Sequence, residues 1–330
     1  MAAGERRFRA CLSEGEILNS PSGGCRIEGV LGQGGFGITY RAEELERHVS
    51  VAVKEFMPMQ MAVRMPDGSV APKPGLEAEY ELRLQSFSKE ARMLASLELP
   101  SVVRALGAFE DRGTAYLVME FIDGMPLHEK AAELGGRIPP ELLLPRLGPL
   151  LRDLERMHES GLIHRDITPD NIMWTRDGAL KLIDFGSART TSSKRFTVMY
   201  KRGFAPVEQY LDSDQGPFTD VYALCATIYY LLTGVYPPEA VGRLEEDTVQ
   251  PPSSLGVALT PEEDAAILHG MAVQPRQRTK SMAELARELG YGRDTMGNNP
   301  AAGGQADNPA PAPMPRPSLW QRFMSWLRGG

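Results

Sequence analysis

A chain of 330 residues with 42% apolar and 24% charged side chains can bury a sizeable core or build two lobes that share one function. Its 36 basic residues against 43 acidic ones leave a formal charge of -7, which argues against a general nucleic-acid binder, since such a protein needs a basic face. Cys11, Cys25 and Cys225 are odd in number and widely spaced, so they suit neither a disulfide framework nor a zinc site and point to a reducing, cytoplasmic compartment.

The first ten residues lack the apolar core of a signal peptide. Residues 1–24 are polar and read as a lead-in that leans on the first domain. Cys25 to Leu31 then reads as a strand, Gly32 to Gly37 as a tight turn, and Ile38 to Ala42 as the returning strand. Val49 to Phe56 is a third strand, with Val51, Val53 and Glu55 alternating against Ala52 and Lys54. Residues 57–84 carry the turn signals Pro66-Asp67-Gly68 and Pro72-Lys73-Pro74-Gly75, which predict an irregular insertion. A helix follows from about Glu77 or Gln85, with Phe87, Ala91, Leu94 and Leu97 on its apolar side and Leu99-Pro100 closing it. Val102 to Glu110 and Thr114 to Glu120 make a hairpin around Asp111-Arg112-Gly113.

Beyond Asp123-Gly124 the pattern turns helical. Pro140 to Ser160 places Leu143, Leu147, Leu150, Leu151, Leu154 and Met157 at helical spacing. Ile163 to Asp166 and Leu180 to Ile183 are short strand-like pieces flanking a polar loop. Asp220 to Thr233, Pro261 to Met271 and Ser281 to Leu289 read as helices. The first of these holds the longest apolar run, which is interrupted by tyrosines and too short to span a bilayer. The predicted division is a β-rich lobe over 25–120, holding the 57–84 insertion, and a helical lobe over 121–290. Residues 291–318 are rich in Pro, Ala and Gly and predict disorder. Residues 319–330 read as an amphipathic tail whose Leu319, Phe323 and Trp326, with Trp320 and Leu327 beside them, suit docking on a partner, a membrane surface or the chain's own lobe; a tail without a role is the plainer alternative.

Gly32-Gln33-Gly34-Gly35-Phe36-Gly37 has GxGxxG spacing, which alone is a weak signal. A dinucleotide site would want a helix directly after it, whereas Ile38-Thr39-Tyr40-Arg41 continues as a strand. Lys54 in an otherwise apolar strand needs a partner or a ligand. Glu90 is the candidate partner, with Glu79 and Glu81 as competitors. His164-Arg165-Asp166-Ile167-Thr168-Pro169-Asp170-Asn171 and Asp184-Phe185-Gly186 then set three proton- or metal-handling residues in two neighbouring runs. A lone aspartate is usually a cap or a surface salt bridge, but this grouping is hard to obtain that way.

Taken in order from about residue 25 to 285, these runs, with Val51-Ala52-Val53-Lys54 and Ala205-Pro206-Val207-Glu208, resemble the eukaryotic-like Ser/Thr protein kinase family. Gly203-Phe204-Ala205-Pro206-Val207-Glu208-Gln209-Tyr210 and Thr168 look most like its bacterial members. The resemblance implies an α+β fold with two lobes, and transfer of the γ-phosphoryl group of ATP to protein Ser/Thr hydroxyls, with Mg²⁺ as the metal and Mn²⁺ as an alternative. It implies that Asp166 handles the hydroxyl proton, that Asn171 and Asp184 hold the metal, and that Lys54, held by Glu90, meets the α- and β-phosphates. The phosphates would lie under Gly32, Gly34, Gly35, Phe36 and Gly37, with Thr39 just beyond. Adenine needs an apolar slot with polar groups at its rim. Leu31 or Val30, Ala52, Met119 and Met173 suit the slot, and Glu120 and Ile122 suit the rim by their backbones; core packing is the alternative for each.

By the same resemblance His164 supports the loop, Arg165 answers a phosphate in the activation segment, Glu208 pairs with Arg278, and Asp220 accepts from the catalytic-loop backbone. Thr197, or one of Thr190 to Ser193, is a candidate autophosphorylation site among Arg189, Lys194, Arg195, Lys201 and Arg202. The family places Lys where this chain has Thr168, which reduces charge compensation at the transferring phosphate. A nucleotide-binding pseudokinase or scaffold and a small-molecule phosphotransferase are the competing functions. The complete set Lys54, Asp166, Asn171 and Asp184 weighs against the first, and the Ala205 to Glu208 run against the second.

Overall fold

The computed structural model describes residues 11–20, 23–35, 37–185, 189–190, 203–211 and 213–291. The amino-terminal half is dominated by a six-stranded antiparallel sheet in the order β1-β2-β3-β4-β8-β7. Its strands are β1 (Ile17–Leu18), β2 (Cys25–Gln33), β3 (Gly37–Glu44), β4 (Val49–Phe56), β7 (Ala105–Asp111) and β8 (Thr114–Glu120). The β7–β8 turn falls at Arg112 and Gly113, both at positive φ (53° and 74°), as a two-residue hairpin turn of this hand requires.

Register sets what each face carries. Ile38, Glu55, Tyr116 and Phe109 lie in one row across the sheet, and Thr39, Lys54, Leu117 and Ala108 in the next. Because side chains alternate along a strand, the two rows face opposite ways. Ala52, Leu117 and Met119 join the main core, which continues into the helical half. Ile38, Tyr40, Val51, Val53, Tyr116 and Val118 build a second core on the other face.

That second face is roofed. Leu12 and Leu18 from the lead-in cover part of it, and Met57, Ala62 and Val70 from the insertion cover more. The insertion is ordered, contrary to the irregular excursion expected: β5 (Ala62–Arg64) and β6 (Val70–Pro72) pair as a hairpin, with Arg64 opposite Val70. Helix α1 (Glu77–Ala95) follows, starting at the earlier of the two expected positions. Tyr80, Ala91 and Leu94 are its buried residues.

The helical half is built on α3 (Pro140–Glu159) and α5 (Pro217–Thr233), with α6 (Pro261–Gly270) and α7 (Met282–Glu288) packed alongside. Helix α5 is buried almost all round, which explains why its sequence lacks a polar stripe. Gly270 lets α6 approach it closely, since a Cβ there would stand 2.2 Å from the Cys225 sulfur. Short pieces not apparent in the sequence include β1, β9 (Gly124–Pro126), α2 (Leu127–Glu133) and β11 (Ile172–Thr175). Strand β11 sits between β9 and β12 (Leu180–Leu182). Of the expected 163–166 strand only β10 (Leu162–Ile163) forms; it pairs with β13 (Arg189–Thr190). The short helix α4 (Val207–Tyr210) precedes α5. No helix among the described residues is long and apolar enough to cross a membrane.

Candidate active site

After β10 the chain leaves strand geometry, and Arg165 takes a left-handed conformation at φ 68°. Asp184, after β12, does the same at φ 64°. Non-glycine residues adopt this region at a cost and persist there only where neighbours hold them. For Arg165 the holder is Asp220 on α5. Its buried carboxylate accepts from the backbone N–H of His164 (2.7 Å) and of Arg165 (2.7 Å), and it meets His158 Nε2 on α3 at 2.8 Å. Burial works against its charge, yet the bonds from His158 and the loop backbone prevail and hold the carboxyl below its ordinary range.

His164 is fully buried and packs edge-on against the Phe185 ring, 4.8 Å between centroids. Its Nε2 lies 3.1 Å from the Ile183 carbonyl, and the Asp166 N–H points to its Nδ1 at 3.3 Å. This pair of contacts selects the neutral tautomer protonated at Nε2. Burial, the largest influence, holds its pKa down.

The expected chemical residues come together around this frame. Asn171 donates its Nδ2 to the Asp166 carbonyl (2.7 Å) and to the Asp166 carboxylate (2.9 Å). Its own carbonyl accepts from the Ile183 N–H (2.8 Å), which couples the two motif-bearing segments. Lys54 is 5% exposed, and its ammonium is ion-paired and hydrogen-bonded to the Asp184 carboxylate. Glu90, the expected partner of Lys54, is half-buried on α1, and the Lys54 ammonium is turned to Asp184. Thr168 is buried, and its carbonyl accepts from the Asn171 N–H at 3.0 Å.

The glycine-rich turn joins β2 to β3. Gly32 pairs with Thr39, and Gly34 N–H donates to the Gly37 carbonyl at 2.9 Å. Thr39 lies directly opposite Lys54. Gly37 meets β4 so closely that a Cβ would fall 2.1 Å from the Glu55 carbonyl oxygen. Gly35 is in the turn, while Phe36 lies outside the described residues, as does Gly186. Leu31 is half exposed, whereas Ala52 and Met119 face each other as a buried cross-strand pair. Met173 pairs with Lys181 across β11 and β12, and Ile122 packs against the main core. The Glu120 N–H is already given to the Arg104 carbonyl (3.0 Å), so this residue does not offer its N–H to a base; its carboxylate holds Lys181 at 2.6 Å.

Behind the loop, Glu208 and Arg278 form the expected pair through two bonds, 2.6 and 3.1 Å, with both side chains fully buried. Gln209 Nε2 donates to the Arg165 carbonyl at 2.9 Å, and Thr227 donates to the Ile167 carbonyl at 3.1 Å. Neither these two nor His158 was singled out from the sequence, where each reads as an ordinary polar residue on a helix. Thr191 to Ser193, Lys194, Arg195, Thr197, Lys201 and Arg202, like the 292–330 tail, lie outside the described residues.

The protein-family profile described as Protein kinase domain matches residues 25–250. A probable serine/threonine-protein kinase of Streptomyces coelicolor, SCO3848, is 30% identical over 276 residues, covering 79% of this chain and 38% of the relative. The serine/threonine-protein kinase PknB of Mycolicibacterium smegmatis is 32% identical over 281 residues, covering 79% of this chain and 41% of the relative. The chain therefore matches about two fifths of the length of these curated relatives. A solved structure, PpkA-294 in its apo form, superposes with a TM-score of 0.73 at 33% identity, covering 85% of this chain and 99% of that one.

Proposed function

The chain belongs to the protein kinase family, and on that premise we propose that it transfers the γ-phosphoryl group of ATP to Ser or Thr hydroxyls of a protein substrate. The observation that carries this reading is the convergence of four residues: Asn171 is bonded to Asp166, Lys54 to Asp184, and the Ile183–Asn171 backbone bond ties the two halves together.

The donor set suits Mg²⁺. Asp184 offers a hard carboxylate, and Asn171, with its Nδ2 committed to Asp166, leaves its amide oxygen as a further oxygen ligand. Mg²⁺ characteristically takes one or two carboxylates together with substrate phosphates rather than a closed protein cage. Among the described residues no cluster of three or more His, Cys, Asp or Glu forms such a cage. When bound, the ion neutralises charge on the phosphates as the transition state develops.

Asp166 accepts the proton of the incoming hydroxyl as its oxygen bonds to the γ-phosphorus and the bond to the β-phosphate oxygen breaks. Asn171 orients that carboxylate. Lys54 leaves Asp184 for the α- and β-phosphates, and the glycine-rich turn brings backbone N–H groups over them. Ala52, Met119 and Met173 take the adenine. Thr168 brings no ammonium to the transferring phosphate, so turnover is slower than a lysine there would permit. Autophosphorylation within 190–197 and docking by the 319–330 tail belong to the same reading. So does a cytoplasmic setting, supported by the free thiols of Cys11, Cys25 and Cys225.

Incubation with labelled ATP and Mg²⁺, followed by phosphoamino-acid analysis of the chain and of added generic protein, tests this reading. Phosphoserine or phosphothreonine is expected. Absence of protein-bound label overturns it.

A further inference from the structure

Glu55 follows Lys54 in β4, so the two side chains leave opposite faces of the sheet. Lys54 enters the cleft. Glu55 enters the second core and is fully buried. A carboxylate in such a place is very unfavourable unless it is paired and hydrogen-bonded. Glu55 is both. Tyr40 donates its hydroxyl to Oε2 at 2.9 Å and Tyr116 donates to Oε1 at 2.7 Å. Arg64 completes the set with a forked pair, Nη1 to Oε1 at 2.8 Å and Nη2 to Oε2.

Arg64 does not belong to the sheet. It lies on β5 of the insertion hairpin, where its Nη1 also holds the Gly68 carbonyl at 3.0 Å. The lead-in joins the same cluster, since the Leu12 N–H donates to the Tyr40 hydroxyl at 3.1 Å. Four residues after β6 the chain becomes α1, the helix of Glu90. The start of α1 is tied down on this side: Tyr80 donates its hydroxyl to the Gly113 carbonyl (2.9 Å), and Val70 N–H donates to the Arg112 carbonyl (2.7 Å). Farther along, Ala91 and Leu94 pack in the cleft-side core. Glu90 therefore lies on a helix whose first turns are set by the roof and whose last turns are set by the cleft.

We propose that Arg64 is a positioning residue for phosphoryl transfer: through Glu55 it clamps the insertion hairpin to the back of β4, and so fixes α1 relative to the strand that carries Lys54. The proposal rests on the kinase reading. A buried ion pair is a poor source of net stability, since apolar residues of similar volume commonly serve as well or better. Its forked geometry fixes one relative placement of hairpin and strand, which apolar packing does not.

The test uses the full chain and the double variant Glu55→Gln/Arg64→Met, which removes both charges and nearly conserves volume. The double variant is expected to stay folded, with its melting temperature within a few degrees of the wild type. Its kcat for transfer from Mg²⁺-ATP is expected to fall about ten-fold or more, with KM for the protein substrate unchanged. Amide exchange should quicken in α1 and not in α5. Arg64→Lys keeps the charge and loses the fork, and is expected to show the same kcat loss in smaller degree; it carries the test if the double variant does not fold. A folded variant with wild-type kcat and unchanged exchange in α1 overturns the proposal and leaves the kinase reading standing. Absence of transfer by the wild type overturns that reading, and the proposal with it.

Discussion

The ammonium of Lys54 is bonded to the Asp184 carboxylate, joining β4 to the segment after β12. The lysine side chain is nearly buried at 6% exposure, while the aspartate is 43% exposed. On the proposed reading, Asp184 would hold the metal and Lys54 would hold the phosphates, so this ion pair would be exchanged when Mg²⁺-ATP binds. Lys54→Met is expected to lower kcat/KM for ATP by about 100-fold or more, the scale of losing one preorganised donor to developing charge. Initial rates over a range of ATP concentrations measure it.

Glu208 and Arg278 tie the segment before α5 to the loop before α7, with neither side chain exposed. Arg278 also donates to the carbonyls of Ala272 and Val273 and to that of Phe218. Removing one partner leaves the other charge buried. Glu208→Gln or Arg278→Leu is expected to destabilise the chain by about 3–5 kcal/mol, read by urea unfolding. The double variant should lose less than the sum of the two.

His164 has a pKa below its ordinary value of 6.5, chiefly because it is buried. Above that value both folded and unfolded chains hold a neutral ring, so pH has no effect through it. As pH falls below it, the unfolded chain gains a proton that the folded chain refuses, and stability declines. The decline approaches about 1.4 kcal/mol per pH unit for one such group. His164→Phe is expected to melt lower near neutrality but to lose less on acidification. Melting curves in Mg²⁺-free buffer from about pH 7.5 to about pH 5.5 give the comparison.

Thr168 is buried beside Asn171, and its carbonyl accepts from the Asn171 N–H. Thr168→Lys is expected to raise kcat, by about ten-fold if the new ammonium reaches the transferring phosphate. A single-turnover rate that stays at the wild-type value would show that no cation is missing at this position.

The chemistry was more legible than its support. Asp166, Asn171 and Asp184 stand in short runs that carry the family resemblance, and β4 was readable because Val49, Val51 and Val53 recur at every second position. Strands β9 and β11 have three and four residues, too few for a period, and exist because β11 finds partners on both sides. Glu55 read as one more position in an alternating strand, and Arg64 as part of an irregular excursion. Nothing local links them. Only when the hairpin folds back over the sheet does the carboxylate lose water and the guanidinium replace it. The Lys54–Asp184 pair was not readable for a related reason: which acid a lysine meets depends on how α1 and the Asp184 segment sit in space, and sequence spacing does not specify that.

The most direct test of the central claim is the initial rate of phosphate transfer from labelled ATP-Mg²⁺ to protein for the wild type, Asp166→Asn and Asp184→Asn, each first shown to be folded. The wild type is predicted to transfer label, with the Asp166 variant slower by about 10²–10⁴-fold and the Asp184 variant at least comparably impaired. Equal incorporation by all three would contradict the account.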